Sequence, residues 1–338
     1  MLKKDLGLFL LILVVGTVVA VLNPRFISPV NLSNTANLIG LYGLFSIGEG
    51  FVIITGGIDL SIGSVFALLG VVYITLLSGY GLNWIVATAL VVAGGVAIGL
   101  IHGMLITRAR LQPFVVTLCG LLIYRGVARY YTDDGTAGFD FGQSFPTLEW
   151  LTTGRVYGVP NSFTAFVIIA AVMAVLLHRS VFGRYLFAVG KNEEAARYSG
   201  IATRAIIVWA YVICSGLAAL SSVYFALYTR SISPASHGTF YELYGIAAAV
   251  LGGCSLRGGE GSILGIALGA VLLQILQNLV NLLGIPSSLN FAVMGTVILI
   301  GVLADGQLQR LRRTRTARGG GPAALAATTP QPQLGHEG

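Results

Sequence analysis

Ile54-Thr-Gly-Gly-Ile-Asp-Leu-Ser-Ile-Gly-Ser64 is a polar break in a stretch that is otherwise largely apolar from 37 to 78. Gly56 and Gly57 can end one helix by adopting positive φ, and Asp59 or Ser61 can cap the next by accepting hydrogen bonds from its free amides. The runs on either side, 37–54 and 61–78, approach the roughly 20 apolar residues that a helix needs to cross a hydrocarbon core of about 30 Å. The segment therefore reads as two transmembrane helices joined by a tight polar turn.

The same pattern extends in both directions. Apolar runs at 6–22, 84–106, 112–131, 161–178, 205–229, 241–254, 262–283 and 289–304 bring the expected total to about ten spans. Composition agrees: 55% of residues are hydrophobic, 10% are charged and the mean hydropathy is +0.84, which leaves too little polar surface to coat a soluble globule. The expected fold is an all-α polytopic membrane protein. Lys and Arg near span ends collect on the cytoplasmic side, and an even number of spans places the basic clusters together. Lys3 and Lys4, then Arg108 and Arg110, then Arg179, Arg184, Lys191, Arg197 and Arg204, then Arg310, Arg312, Arg313, Arg315 and Arg318 all fall inside. Arg25, Arg155 and Arg230 fall outside, with Arg125 and Arg129 near the outer end of the fifth span. The expectation is a multi-pass protein of the bacterial inner membrane with both termini cytoplasmic. The net charge of +7 then reflects topology and attraction to anionic lipid headgroups, and calls for no nucleic-acid partner.

Two lysines before an apolar run also describe a secretory signal peptide, but the run reaches Leu22 without a small-x-small cleavage site, and it reads as an anchor. Cys119, Cys214 and Cys254 lack metal or redox spacing and read as packing residues. The chain divides into a transmembrane domain at 1–306 and, at 307–338, a basic segment followed by a Pro-, Gly- and Ala-rich tail expected to be disordered in the cytoplasm. The longest external loop, 132–160, carries Asp133, Asp134, Asp140 and Glu149 among aromatics. It is either a docking surface for a soluble partner or a solvated connection over the helix ends.

Gly183-Arg-Tyr-Leu-Phe-Ala-Val-Gly-Lys-Asn-Glu-Glu-Ala-Ala-Arg-Tyr-Ser-Gly-Ile201 is a polar loop between two hydrophobic spans. It resembles the docking loop of ABC importer permeases, in which a short cytoplasmic helix around a Glu-Ala-Ala element, followed by a glycine, sits in a groove of a separate ATPase subunit. Gly-Gly-Ile-Asp-Leu-Ser, at 56–61, resembles a hallmark of the ribose-type sugar permeases. The likeness continues through Ile101 to Arg110, Pro113-Phe-Val-Val-Thr-Leu, Tyr124-Arg-Gly126 and Ile246 to Ser262, and so covers about residues 5 to 306. It implies ABC importer permease architecture, with Glu193, Glu194, Ala195, Ala196, Arg197 and Gly200 as the ATPase-coupling element within a short helix at 191–200. Acidic residues in the first turn suit the helix dipole, Gly200 can terminate the helix, and the two alanines permit close approach to a partner. The implied partners are an ABC ATPase subunit, a periplasmic sugar-binding protein and a second permease copy or paralogue. ATP and Mg are expected on the ATPase, since the P-loop pattern is not met around Lys191. This chain is expected to hold no cofactor or metal and to be no enzyme: H-E-x-x-H and G-x-S-x-G are absent, and His102, His178, His237 and His336 are scattered.

Two positions depart from that likeness, His102 where Asn is expected and Glu49 where Met is common. A carboxylate in a membrane helix costs a few kcal/mol, so Glu49 must face protein or water, either along a substrate path or packed against another helix. His102 reads as an interfacial or interhelical hydrogen-bonding group. Gln274, Gln277, Asn278 and Asn281, at i, i+3, i+4 and i+7, lay four amides on one helix face. That face can meet sugar hydroxyls or bond to another helix. With Glu49, Asp59 and Ser61, these four are the candidate translocation path. Gly261, Gly265 and Gly269 mark a close helix pair. Arg125, Arg129 and Asp133 read as an ion-paired helix end with snorkelling arginines. Ser255-Leu-Arg-Gly-Gly-Glu260 is either a second ATPase contact or a glycine-rich turn. The expected function is the permease subunit of an ATP-driven importer for a monosaccharide or similar small polyol. The alternatives are a self-sufficient carrier coupled to protons or sodium, with Glu49 as its coupling acid, and an amino-acid permease of related architecture.

Overall fold

The computed structural model describes residues 2–286 and beyond them only isolated positions up to 299. The expected tenth span at 289–304, the basic cluster from Arg310 to Arg318, His336 and the tail at 307–338 lie outside the described residues. Among the described residues, seven helices are long and apolar enough to cross a membrane. They are α1 (Leu2–Leu22), α2 (Pro29–Ile54), α3 (Ile62–Ile74, prolonged by a π turn to Gly79), α4 (Trp84–Thr107), α7 (Asn161–Arg179), α10 (Thr203–Thr229) and α12 (Ile263–Leu282). Between them stand α5 (Pro113–Tyr131), α6 (Pro146–Thr153), α8 (Val181–Lys191), α9 (Glu193–Tyr198) and α11 (Tyr241–Leu251). The small amount of sheet is two antiparallel ladders at one end of the bundle: β1 (Ala137–Gly138) pairs with β4 (Ser231–Ile232), and β2 (Arg155–Val156) with β3 (Val159–Pro160).

α2 is the axis of the molecule. Of its most apolar stretch 83% is buried, against 6% for α1, so α1 presents nearly all of its surface outward and packs mainly on α12 through Ile12, Val19, Leu272 and Ile275. Around α2 stand α7, α10, α11 and α12. α10 also packs closely on α4, because small residues there let the backbones meet. A β-carbon added at Gly95, Gly99 or Gly103 would stand 2.6, 2.5 or 2.6 Å from the nearest α10 atom. This four-residue spacing of small residues is the usual way membrane helices approach closely, since lipid gives apolar side chains no reason to prefer one another. The expected pair at Gly265 and Gly269 is also present: they meet Gly252 and Ala248, so α12 packs on α11 and its C-terminal turn. Gly261 precedes the helix and packs on Cys254 instead.

The eighth expected span, 241–254, differs from its sequence reading. α11 has only 11 residues, about 16 Å of helix at 1.5 Å per residue, roughly half a hydrocarbon core. Upstream, after β4, residues 233–240 form an irregular segment containing Pro234 and two residues with positive φ, Gly238 at 75° and Phe240 at 63°. Non-helical backbone at such a position persists only if protein satisfies its carbonyls. Arg125 on α5 does so, donating to the Pro234 and His237 carbonyls at 2.6 Å each and to Gly238 at 2.8 Å. The expected ion-paired end of α5 is accordingly corrected. Arg129 pairs with Asp134 at 2.5 Å, Asp133 takes part in no ion pair among the described residues, and Arg125 is spent on backbone.

Candidate functional site

At the end of the bundle opposite the β ladders, α8 stops at Lys191 and α9 starts two residues later. Asn192 makes the break: its backbone is extended and its side chain accepts the Ala195 amide at 2.9 Å, capping α9. Glu193 and Glu194 fill the first turn, and Gly200, at φ 82°, closes it. The helix expected at 191–200 is thus present as 193–198, separate from α8. Glu193, Glu194, Ala195, Arg197 and Gly200 are exposed, and Glu194 lies 3.8 Å from Arg197. The two alanines divide. Ala195 faces outward, while Ala196 is only 5% exposed and packs into its own chain, so only one of them offers close approach to another molecule.

Behind α9 an open pocket of about 590 Å³ lies among the helix ends. Glu193, Glu194 and Arg197 form one wall, Thr107 and Arg110 another, and Gly56, Gly57 and Tyr211 line it beside the polar turn between α2 and α3. Tyr211 Oη lies 3.5 Å from the Ile58 carbonyl.

That turn has the expected form with two changes. Gly56 adopts a positive φ of 88° whereas Gly57 does not, and of the two candidate caps only Asp59 accepts. Its Oδ1 receives the Ser61 amide at 2.9 Å and the Ser61 hydroxyl at 2.6 Å, while Ser61 caps nothing with its side chain. Asp59 is fully buried. Glu49, one helix back and also 0% exposed, accepts the Asp59 amide on Oε1 at 3.1 Å and lies 3.8 Å from the Cys214 thiol on Oε2. From α4, His102 brings Nδ1 to 3.9 Å from Asp59 Oδ2 and bonds through Nε2 to the Tyr124 hydroxyl at 3.0 Å. His102 therefore makes the interhelical hydrogen bond expected of it. The two positions that depart from the family likeness, Glu49 and His102, both lie against Asp59. Tyr124, Tyr211 and Cys214 complete the surroundings; Tyr124 lay in a segment of family likeness, and Cys214 had been read only as a packing residue, as which Cys214 and Cys254 are buried while Cys119 is exposed.

The amides of α12 lie elsewhere. Asn278 exchanges hydrogen bonds with Asn31 of α2 at 2.8 and 3.0 Å, Gln274 is buried, Gln277 is half-buried and Asn281 is exposed. None of the four hydrogen-bonds to the Asp59 cluster, and at Asn278 the stripe ties helix to helix. Ser255–Glu260 folds back under α2, with the Gly259 amide donating to the Ile54 carbonyl at 2.8 Å and Lys191 Nζ 2.9 Å from Glu260 Oε1. Among the described residues there is no cluster of metal-ligating side chains.

Residues 31–302 match the family model described as branched-chain amino acid transport system / permease component. The ribose import permease protein RbsC of Escherichia coli K12 is 38% identical over 307 residues, which cover 91% of this chain and 94% of that protein. The chain belongs to the ribose-type sugar permease family of ABC importers. The Bacillus subtilis ribose import permease is 37% identical over 89% of the chain and 91% of its own length, and the fructose import permease FruF of Bifidobacterium longum is 33% identical over 77% and 72%. No solved structure matches the chain. As an ABC permease this is a multi-pass inner-membrane protein, and its relatives are transport subunits. The family match also absorbs the Gly-Gly-Ile-Asp-Leu-Ser turn and the α8–α9 segment, both of which lie within the matched residues.

Proposed function

We propose that this chain is the membrane-spanning subunit of an ATP-driven importer for a monosaccharide or similar small polyol, delivered from outside by a binding protein. The observation that carries the reading is the exposed, capped α9 helix with the cavity directly behind it. A self-sufficient carrier has no use for such a helix. In this reading α9 seats in an ATPase groove, both termini are cytoplasmic, and a second copy or a paralogue completes the pore. ATP and Mg are held by the ATPase. Relatives named for ribose and fructose support a sugar cargo over the amino acids named in the family description. Glu49, Asp59, Ser61, Gln274, Gln277 and Asn281 remain the proposed polar path, with the Asp59 cluster nearest the cavity, while Asn278 is given over to Asn31.

The test is co-purification and uptake. Glu194→Arg, or Gly200 replaced by Trp, releases the ATPase or uncouples its hydrolysis from transport, while binding-protein docking at the far face persists. ATPase retained with coupled transport at the normal rate in both variants overturns the docking assignment. Uptake of labelled leucine in place of ribose or fructose would reassign the cargo.

A further inference from the structure

Three segments remote in sequence meet in backbone contact just inside the α9 end of the molecule. α8 arrives with Gly190, α2 departs with Ile54 and the turn at Gly56, and the 252–262 loop supplies Gly258 and Gly259. A β-carbon at Gly190 would stand 1.9 Å from the Ile54 carbonyl oxygen and 2.4 Å from the Gly259 nitrogen. One at Gly258 would stand 2.7 Å from the Gly190 oxygen and 2.9 Å from the Gly56 nitrogen. Both 258 and 259 have positive φ, 81° and 72°, so their backbones can turn into the contact without a side-chain penalty. A hydrogen bond from the Gly259 amide to Ile54 closes the junction at 2.8 Å, and Lys191–Glu260 clasps its outer side at 2.9 Å.

Each arm of this junction leads to a different part of the machine. Gly190 is three residues from the start of α9. Ile54 and Gly56 open the turn that carries Asp59 and Ser61, against which Glu49 and His102 pack. The 252–262 loop joins α11, which follows the segment held by Arg125, to α12. Close-packed backbone has no rotamers through which to absorb a displacement, so such contacts move as a unit or break.

We propose that the Gly190–Gly258–Gly259 junction is the positioning element that passes displacement of the docking helix to the Asp59 turn and to the α11–α12 pair. The proposal rests on the reading of α9 as the ATPase contact. Its substance is that these glycines are required for coupling and are dispensable for ATPase binding.

The experiment uses the full transporter, reconstituted with its ATPase and binding protein and given labelled ribose or fructose. Gly190→Ala forces the three backbones apart. It is expected to leave the ATPase bound and its basal hydrolysis intact, while lowering uptake and binding-protein-stimulated hydrolysis about tenfold or more. Gly16→Ala is the control: Gly16 is helical like Gly190, in α1, but nothing lies within 4 Å of an added β-carbon. That variant keeps normal coupling. Wild-type coupling in Gly190→Ala overturns the proposal, whereas loss of the ATPase in Glu194→Arg with coupling intact in Gly190→Ala would spare the docking assignment and sink only the junction. Should Gly190→Ala not assemble, hydrogen exchange on the wild-type transporter decides. The Gly259 amide is expected to stay protected, and segments 52–60, 186–198 and 252–262 to change together when nucleotide is added. A change confined to one of them overturns the proposal.

Discussion

Arg125→Met removes the guanidinium that satisfies three carbonyls of the irregular segment, those of Pro234, His237 and Gly238. Methionine keeps much of the apolar stem, so packing changes little. A hydrogen bond to a charged donor contributes roughly 1.5–3 kcal/mol, and a neutral one about 1. The three bonds share one half-buried side chain, whose own desolvation opposes them, so about 1 kcal/mol each, or ~3 kcal/mol together, is the reasonable sum. The loss falls on local opening of 233–240 before it falls on the whole bundle. At 1.4 kcal/mol per factor of ten, ~3 kcal/mol is on the order of a hundredfold in the opening equilibrium. Hydrogen exchange with peptide resolution reads it directly at the Ser236, His237 and Thr239 amides, which are bonded within the segment. Arg125→Lys, a point charge with less reach, is expected to fall between. Exchange within about threefold of wild type in Arg125→Met, against the roughly hundredfold expected, refutes the view that this arginine holds the segment.

Other outcomes follow from single contacts. Gly99→Leu drives a side chain into the Tyr211 carbonyl, 2.5 Å from an ideal β-carbon, and is expected to abolish folded protein by detergent size-exclusion, whereas Gly7→Leu, with nothing within 4 Å, leaves it unchanged. Asn278→Leu removes both side-chain bonds to Asn31, whose amide keeps the Phe26 carbonyl, and is expected to cost about 1 kcal/mol, seen as a lower melting temperature that Asn31→Leu in the same chain partly restores; a double variant no better than the single would contradict the pairing. Partial desolvation works to raise the Glu149 carboxyl, but the Phe145 amide and Arg230 outweigh it and hold it below the ordinary 4.5. Its bond to Arg230 therefore stabilises above that value and is lost as pH falls through the depressed one, by no more than about 1 kcal/mol for so exposed a pair. Limited proteolysis of 132–160 is expected to quicken on acidification and to lose that dependence in Glu149→Gln.

Hydropathy and turn chemistry are properties of short windows, and what depends on them was legible in the chain. Apolar runs marked the seven spans because a helix in lipid satisfies its own backbone and needs only length and apolar side chains. Glu193, Glu194 and Gly200 announced a short helix because dipole and terminator act within one turn; the Asn192 cap emerged only from the structure. Gly56 and Asp59 announced a polar turn for the same reason. Tertiary structure decided what depends on how each helix is rotated about its axis and how deep each side chain sits. An apolar run could not reveal that 241–254 would shorten to an 11-residue helix, since the compensating donor, Arg125, lies more than a hundred residues away. Nor could spacing bring together Glu49, Asp59 and His102, which come from one helix, the turn after it and α4, or show that Asn278 would spend its amide on Asn31. In lipid a buried polar group must find a partner; the sequence establishes that need, and only the packing of the helices chooses the partner.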